Sequence, residues 1–377
     1  MIYKSFGDLK LSALGLGTMR LPVIDGDFSK IDEERAAEMI AEAMASGVNY
    51  YDTAWGYHGG QSEPVVGKLL SRYPRESFYL ASKFPGYQVE NLERKEEIFE
   101  SQLKRCQVEY FDFYLFHTVT ESNIDNYLND EKYGLYSYLV EQKKKGRIRH
   151  LGFSVHGDLE VTRRFLEAYS EHIEFCQVQL NWIDWDYQDA RAKVELLAEY
   201  GIPVWVMEPL RGGKLASLAP EDAARLAALR PNETVPGWSF RYLQSIPSVT
   251  VTLSGMSNLE QLRENIATFA TEEPLNAAEI ETLYAIGKTM TQSVPCTACR
   301  YCVDGCPAGL DIPQLIKRYN ETCFHGRVGK SVLEMVPEAQ PSACIGCRAC
   351  EAACPQGIRV SEVMTDFAGR IAATERK

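Results

Sequence analysis

The chain has 377 residues, 45% apolar and 24% charged, which suits a globular protein of one large domain and one smaller one. Its formal net charge of −12 argues against a nucleic-acid partner, which would want a basic face. No basic-then-apolar leader opens it, and runs such as FDFYLF are too short to span a bilayer, so the expectation is a soluble, cytoplasmic protein without a membrane partner.

Charge and cysteine content both change late in the chain. Residues 1–290 carry 30 basic and 43 acidic side chains, whereas residues 291–377 carry 10 and 9. Nine of the eleven cysteines lie beyond residue 295. These shifts predict a body over residues 1–285 and a separate tail over 286–377.

In the body, short β-rich runs alternate with longer helical ones. In chain order the runs are LSALGLG, VNYYDT, SFYLASK, FDFYLFH, IRHLGFS, FCQVQLN, IPVWVME and VTVTLSG. Segments such as DEERAAEMIAEAMASG and NLEQLRENIATF lie between them, with apolar residues every three or four positions, as an amphipathic helix requires. Eight such units predict the α/β class and a closed parallel (β/α)8 TIM barrel. An open doubly wound sheet would more usually show a G-x-G-x-x-G turn after its first strand. The nearest match, GLGTMR at 15–20, has Arg20 in place of the third glycine.

Polar residues at the C-terminal ends of barrel strands face the active-site mouth. Asp52 ends the second run, Lys83 the third and His117 the fourth, and Tyr57 follows Asp52 in the loop AWGYHGGQSE. Singly each has an ordinary reading, such as a surface charge or a helix cap. Together they suit carbonyl reduction. A phenol can hand a proton to the carbonyl oxygen, and an ammonium beside it lowers its pKa and stabilises the phenolate. A carboxylate can hold the ammonium, and an imidazole can orient the carbonyl. Neither a nucleophile elbow nor H-E-x-x-H is present, so hydrolysis lacks support.

Residues 1–270, roughly, resemble the aldo/keto reductases through YYDTAWGYHGGQSEPVVGKLL, LASK, FDFYLFH, HLGFSVH, FCQVQLNW, MEPLRGGKL and LSGMSNLEQLREN, all in family order. The resemblance implies Tyr57 as proton donor, Lys83 and Asp52 as its tuning pair, and His117 as the carbonyl-orienting residue. It also implies a nicotinamide cofactor, NAD(P)H, across the barrel mouth. Ser154 and Gln177 would hold its carboxamide, and Asn265 would sit at the adenosine end beside Gly255, Ser257 and Gln261. The chain departs from the family in three places. Val155 replaces a usual Asn, Met207 replaces a usual aromatic ring, and Gly255 and Gln261 stand where NADP-preferring relatives often carry Lys and Arg. Only Arg263 is left in that segment to meet a 2′-phosphate.

The tail reads C-x₂-C-x₂-C-x₃-C-P twice, as Cys296, Cys299, Cys302 and Cys306 before Pro307, and as Cys344, Cys347, Cys350 and Cys354 before Pro355. This is the bacterial [4Fe–4S] ligand run, whose fourth cysteine serves the other cluster in two-cluster ferredoxins. Cys296, Cys299 and Cys302 therefore pair with Cys354, and Cys344, Cys347 and Cys350 with Cys306. Zinc, which wants four ligands in all, fits two full runs poorly. Cys323, Cys106 and Cys176 are expected to be small core residues. Between and after the runs, LDIPQLIKRYNETCF and GIRVSEVMTDFAGRIAATER read as helices, so the tail resembles the helix-rich ferredoxin modules appended to larger oxidoreductases.

The sequence thus points to an oxidoreductase with a small carbonyl or alcohol substrate, two [4Fe–4S] clusters and an electron-transfer protein as partner. Clusters pass electrons singly and a nicotinamide takes a hydride, so a flavin or deazaflavin in the barrel is the alternative converter. A binding or regulatory barrel, with clusters that brace the tail or sense oxygen, is the other alternative.

Overall fold

The computed structural model describes every residue except Gln292, Ser293, Pro295, Thr297, Asp304, Arg376 and Lys377. The chain forms two compact units, Met1–Leu283 and Tyr284–Lys377.

The first unit opens with an antiparallel hairpin, β1 (Tyr3–Phe6) and β2 (Leu9–Ser12). Eight parallel strands then close a barrel in chain order: β3 (Leu14–Gly17), β4 (Tyr50–Asp52), β5 (Tyr79–Phe84), β6 (Phe111–Val119), β7 (Ile148–Val155), β8 (Phe175–Gln179), β9 (Val204–Met207) and β10 (Val249–Ser254). β10 pairs back onto β3. The barrel is the one the alternation predicts. The hairpin is not: the run LSALGLG divides at Ala13 between β2 and β3, because both halves bury leucines and read as one apolar stretch.

The hairpin closes the N-terminal end of the barrel. The Phe6 ring lies 5.0 Å from His150, 5.2 Å from Trp205 and 5.7 Å from Phe113, centroid to centroid. Above it Tyr50, Ala81, Phe113, Leu115, Phe175, Trp205, Val251 and Leu253 fill the interior. A fully buried side chain of this size contributes about 1.5–3 kcal/mol, so the barrel is a packed core and only its C-terminal mouth is left for chemistry.

In the second unit the helices Ile312–His325 and Val360–Glu375 pack around Leu310, Leu315, Ile316, Val332, Ile358, Met364 and Phe367. Pro313 stands in the first turn of the former, and its Asp311 cap accepts from the Gln314 N–H. Cys302 and Cys350 belong to the same apolar cluster. Cys106 and Cys176 are buried as expected, whereas Cys323 is only half-buried.

Around the barrel, the helix Ser62–Leu70 presses on the helix Lys95–Cys106 at Gly67. A Cβ there would sit 2.5 Å from the Arg105 carbonyl oxygen, backbone that cannot move aside. Exchanging Gly for Ala in an open helix gains up to about 1 kcal/mol. At Gly67 the sign should reverse. Gly67→Ala is expected to cost about 1–3 kcal/mol in urea unfolding. Gly329→Ala, where a Cβ meets nothing within 4 Å, should leave stability unchanged.

Candidate active site and cluster-binding tail

The last residues of β3 and β4, Gly17 and Asp52, pair with each other, and Asp52 pairs with Ala81, so β5 runs on past them to Phe84. Lys83 lies two residues beyond Ala81 and so emerges on the same side of the sheet. Its Nζ donates to Asp52 Oδ1 at 2.5 Å, to the Thr53 carbonyl at 2.9 Å and to Tyr57 Oη at 3.2 Å. These are all three donors an ammonium has. Lys83 and Asp52 are 1% and 2% exposed, and Tyr57 is half-buried. Burial opposes the charge on Lys83, but Asp52 and Tyr57 outweigh it and hold the ammonium above its usual range. Burial likewise pushes the Tyr57 phenol up, Lys83 pulls it down and Asp52 pushes it up again. The net direction is upward. Lys83 does act on the phenol in the expected sense, but desolvation is the larger effect.

Behind this group, Gln102 Nε2 donates to the Lys83 carbonyl at 3.0 Å and to Glu63 Oε1 at 2.6 Å, and Ser82 Oγ donates to the same carboxylate oxygen at 2.7 Å. The end of β5 is therefore held from outside the barrel as well as from within.

His117 reaches the mouth through a break in the ladder. The β6–β7 register shifts between Phe116 and Val119, and Thr118 has φ +57°. Bulges of this kind re-aim a side chain. Three backbone groups at the shift are taken up by side chains. The Thr118 N–H donates to Ser154 Oγ at 2.8 Å, Asn123 Nδ2 donates to the Thr118 carbonyl at 2.7 Å, and Tyr127 Oη donates to the His117 carbonyl at 2.6 Å. The His117 ring stands edge-on to Tyr57 at 6.0 Å and to Tyr87 at 5.4 Å. Burial, then Lys83 and His156, lower its pKa well below the usual value, so the imidazole is neutral at pH 7. Its Nδ1 is buried with no hydrogen-bond partner among the described residues.

A cleft of about 300 Å³ opens at this end of the barrel and is lined by Asp52, Tyr57, Gln177, Met207, Gly255, Ser257, Gln261 and Asn265, among others. Ser154 is outside the lining, tied to the bulge. Asn265 Nδ2 donates to Ser254 Oγ at 3.0 Å, and Gln261 Oε1 accepts from the Ser257 N–H at 2.8 Å. Arg263 lies outside the lining too, gripped by Glu42 through contacts of 2.5 and 2.7 Å. Two further lining residues were not among the predicted site residues. Arg20 follows β3, and Glu208 follows β9 with φ +57°. The sequence signal for Arg20 is its place just past the first strand, and for Glu208 its place as the last polar residue of the run IPVWVME. Trp182 is core, donating from Nε1 to Ser239 Oγ at 2.9 Å, and Trp55 lies under the Arg105 guanidinium.

In the tail, Cys306 from the first run lines one cavity with Cys344, Cys347 and Cys350 from the second. Burial raises the pKa of Cys302, and the neighbouring thiols of Cys296, Cys299 and Cys354 raise it further, which brings the other four cysteines together. The loops share a backbone pattern. Ala298 and Arg300 flank Cys299 with φ +53° and +64°, and Gly346 and Arg348 flank Cys347 with φ +69° and +60°. Left-handed residues in such loops turn successive N–H groups inward and form a concavity for an anion, as at many iron–sulfur sites. Donor set and backbone cradle both fit a thiolate-bound [4Fe–4S] cluster.

A model of the aldo/keto reductase family matches residues 13–288, and one of a 4Fe-4S dicluster domain matches residues 295–358. The chain is 26% identical to the NADH-specific methylglyoxal reductase of Escherichia coli K12 over 309 residues, 69% of this chain and 90% of that protein. The fold is similar to that of the holo form of an aldo-keto reductase from Bacillus halodurans, with TM-score 0.61, 25% identity and coverage of 76% of this chain and 96% of that one. It is also similar to an aldo/keto reductase from Klebsiella pneumoniae in complex with NADP and acetate, with TM-score 0.59, 20% identity and coverage of 74% and 93%. With most of its length so matched, the chain belongs to the aldo/keto reductase family of oxidoreductases and carries a 4Fe-4S dicluster domain at its C-terminus.

Proposed function

We propose that residues 1–285 form a reductase that converts a small carbonyl compound to its alcohol with NADH, and that residues 286–377 hold two [4Fe–4S] clusters that exchange single electrons with a protein partner. The observation that carries the first part is the fully committed Lys83 ammonium with Tyr57 as its third acceptor. A nicotinamide cofactor would be held by residues that line the cleft, Gln177 and Asn265 among them, and would supply the hydride equivalent for the carbonyl carbon. Tyr57, which lines the cleft, gives its proton to the carbonyl oxygen. The phenolate left behind is stabilised by the ammonium 3.2 Å away, whose own charge is balanced by Asp52. A neutral His117 can orient the carbonyl by hydrogen bonding without adding charge to the site.

Gln177 and Asn265 both line the cleft, which supports their assignment to the cofactor's polar groups. At the adenosine end the lining offers Gln261 and the Glu264 carboxylate, and Arg263 is occupied by Glu42. The Glu264 carboxylate repels a 2′-phosphate and favours NADH, and Arg20, which also lines the cleft beside Gly255, is the cation that works against this preference. The E. coli relative is described as NADH-specific, in keeping with this. In the tail the clusters supply one-electron storage, and the eight cysteines of the two runs would hold them.

Three outcomes test these assignments. Tyr57→Phe should lower kcat for carbonyl reduction by roughly 10²–10⁴-fold and leave the Kd for NADH, read by fluorescence titration, unchanged. Undiminished turnover would remove Tyr57 as the acid. Steady-state kcat/KM should favour NADH over NADPH by about tenfold or more, and Glu264→Gln should narrow the ratio; a wild-type preference for NADPH would contradict the assignment. Anaerobically purified protein should contain roughly eight irons and eight acid-labile sulfides per chain. Cys306→Ser should then disturb the electron paramagnetic resonance signal that Cys347→Ser also disturbs, and spare the one affected by Cys299→Ser.

A further inference from the structure

The residue after the second cysteine of each run is an arginine, Arg300 in the first and Arg348 in the second. Both lie in the left-handed region, at φ +64° and +60°, where glycine is the unstrained choice. The chain thus sets its most persistent cation at the rim of each cysteine loop, at matched positions.

The two arginines differ in their surroundings. Arg300 is ion-paired, with Nη1 3.2 Å from Asp311 Oδ2, and both side chains are about half exposed. Arg348 lines the cavity formed with Cys306, Cys344, Cys347 and Cys350, and among the described residues no carboxylate lies within ion-pair distance of it. Glu351 is the acidic group that senses Arg348. Its Oε1 is committed to Ser361, accepting from the N–H at 2.9 Å and from Oγ at 2.5 Å, and it does not line the cavity.

We propose that Arg348 raises the reduction potential of the cluster held by Cys344, Cys347, Cys350 and Cys306, making it the first of the two to be reduced, while Asp311 cancels the corresponding effect of Arg300. This rests on the cluster reading of the tail given above. Reduction moves one electron onto the cluster from a donor of the ferredoxin or flavin class. No bond is made or broken, and the cluster becomes one unit more negative. A cation at the cavity wall favours that product, and it does so less when a carboxylate already neutralises it. Glu351 works in the opposite sense: it weakens the effect of Arg348 and its charge also bears on the adjacent Cys350, although its side chain does not line the cavity.

The test is an anaerobic potentiometric titration of the full-length chain with dithionite and mediators, followed by electron paramagnetic resonance, with iron and sulfide content measured on the same samples. Arg348→Gln should make reduction of one cluster about tenfold less favourable, a negative shift of about 59 mV for one electron, and leave the other midpoint in place. Arg348→Lys keeps the charge and should restore most of the shift. Arg300→Gln should move the other midpoint less, and Asp311→Asn, which retains the helix cap, should move it upward. Unchanged midpoints in Arg348→Gln at full cluster content would overturn the inference, as would an equal shift in Arg348→Lys. Absence of iron and sulfide from the wild-type chain would overturn the cluster reading and this inference with it.

Discussion

A lysine ammonium with 1% exposure would cost several kcal/mol if left without partners, and the barrel mouth is arranged around avoiding that cost. One partner supplies charge (Asp52), one a backbone carbonyl (Thr53) and one a phenol (Tyr57), and all three lie within residues 52–57. The end of β4 and the loop after it are thus fixed to the end of β5 by a single cation. A buried ion pair of this type adds little net stability, since desolvation consumes much of its attraction. What it provides is position. The phenol cannot leave the ammonium without stranding a donor, and that requirement holds its hydroxyl at the cleft.

The imidazole is placed by a different device. Breaking the β6 ladder at His117 frees an N–H and two carbonyls, and each would be costly unpaired. Ser154 at the end of β7, and Asn123 and Tyr127 at the cap and in the helix Ile124–Leu128, satisfy them. Ser154 thereby has a structural task outside the cleft lining, and the carboxamide contact that the family resemblance implies is left to the hydroxyl's donor. A serine hydroxyl has two acceptor lone pairs and one donor. Thr118 uses an acceptor, while the donor is only 3.5 Å from the Phe116 carbonyl, a weak arrangement that a carboxamide oxygen could replace without releasing the bulge.

The barrel was legible because parallel strands buried on both faces read as short continuous apolar runs between amphipathic helices. The strand-end residues were legible for a related reason: once the runs are placed, their last polar residue must face the mouth. The hairpin was not, since an apolar run says nothing about where the chain turns within it, and LSALGLG supplies strands on both sides of Ala13. Nor was the bulge, whose partners lie 5, 10 and 36 residues away from the groups they satisfy. The engagement of Arg263 by Glu42 was equally hidden, because it joins residues 221 apart and depends on the barrel closing. In the tail the spacing rule of the cysteine runs carried the pairing, whereas the contrast between Arg300 and Arg348 depends on Asp311, which lies outside both runs.

On the proposed reading, the two halves of the chain handle electrons in different units, a hydride in the barrel and single electrons in the tail. Two clusters together match a hydride's electron pair in number, and unequal potentials would fix which of them takes the first electron. Equal clusters would give no order to that loading. A guanidinium without an ion-pair partner beside one set of cysteines and an ion-paired one beside the other would supply an order by electrostatics, because each reduction adds one negative charge and the first should fall where a cation receives it. The left-handed backbone at both arginines then has a physical reason. It aims inward the N–H groups that an anionic cluster needs, and it puts the side chain at the rim, where the choice of an arginine with or without a carboxylate sets how strongly the next electron is held.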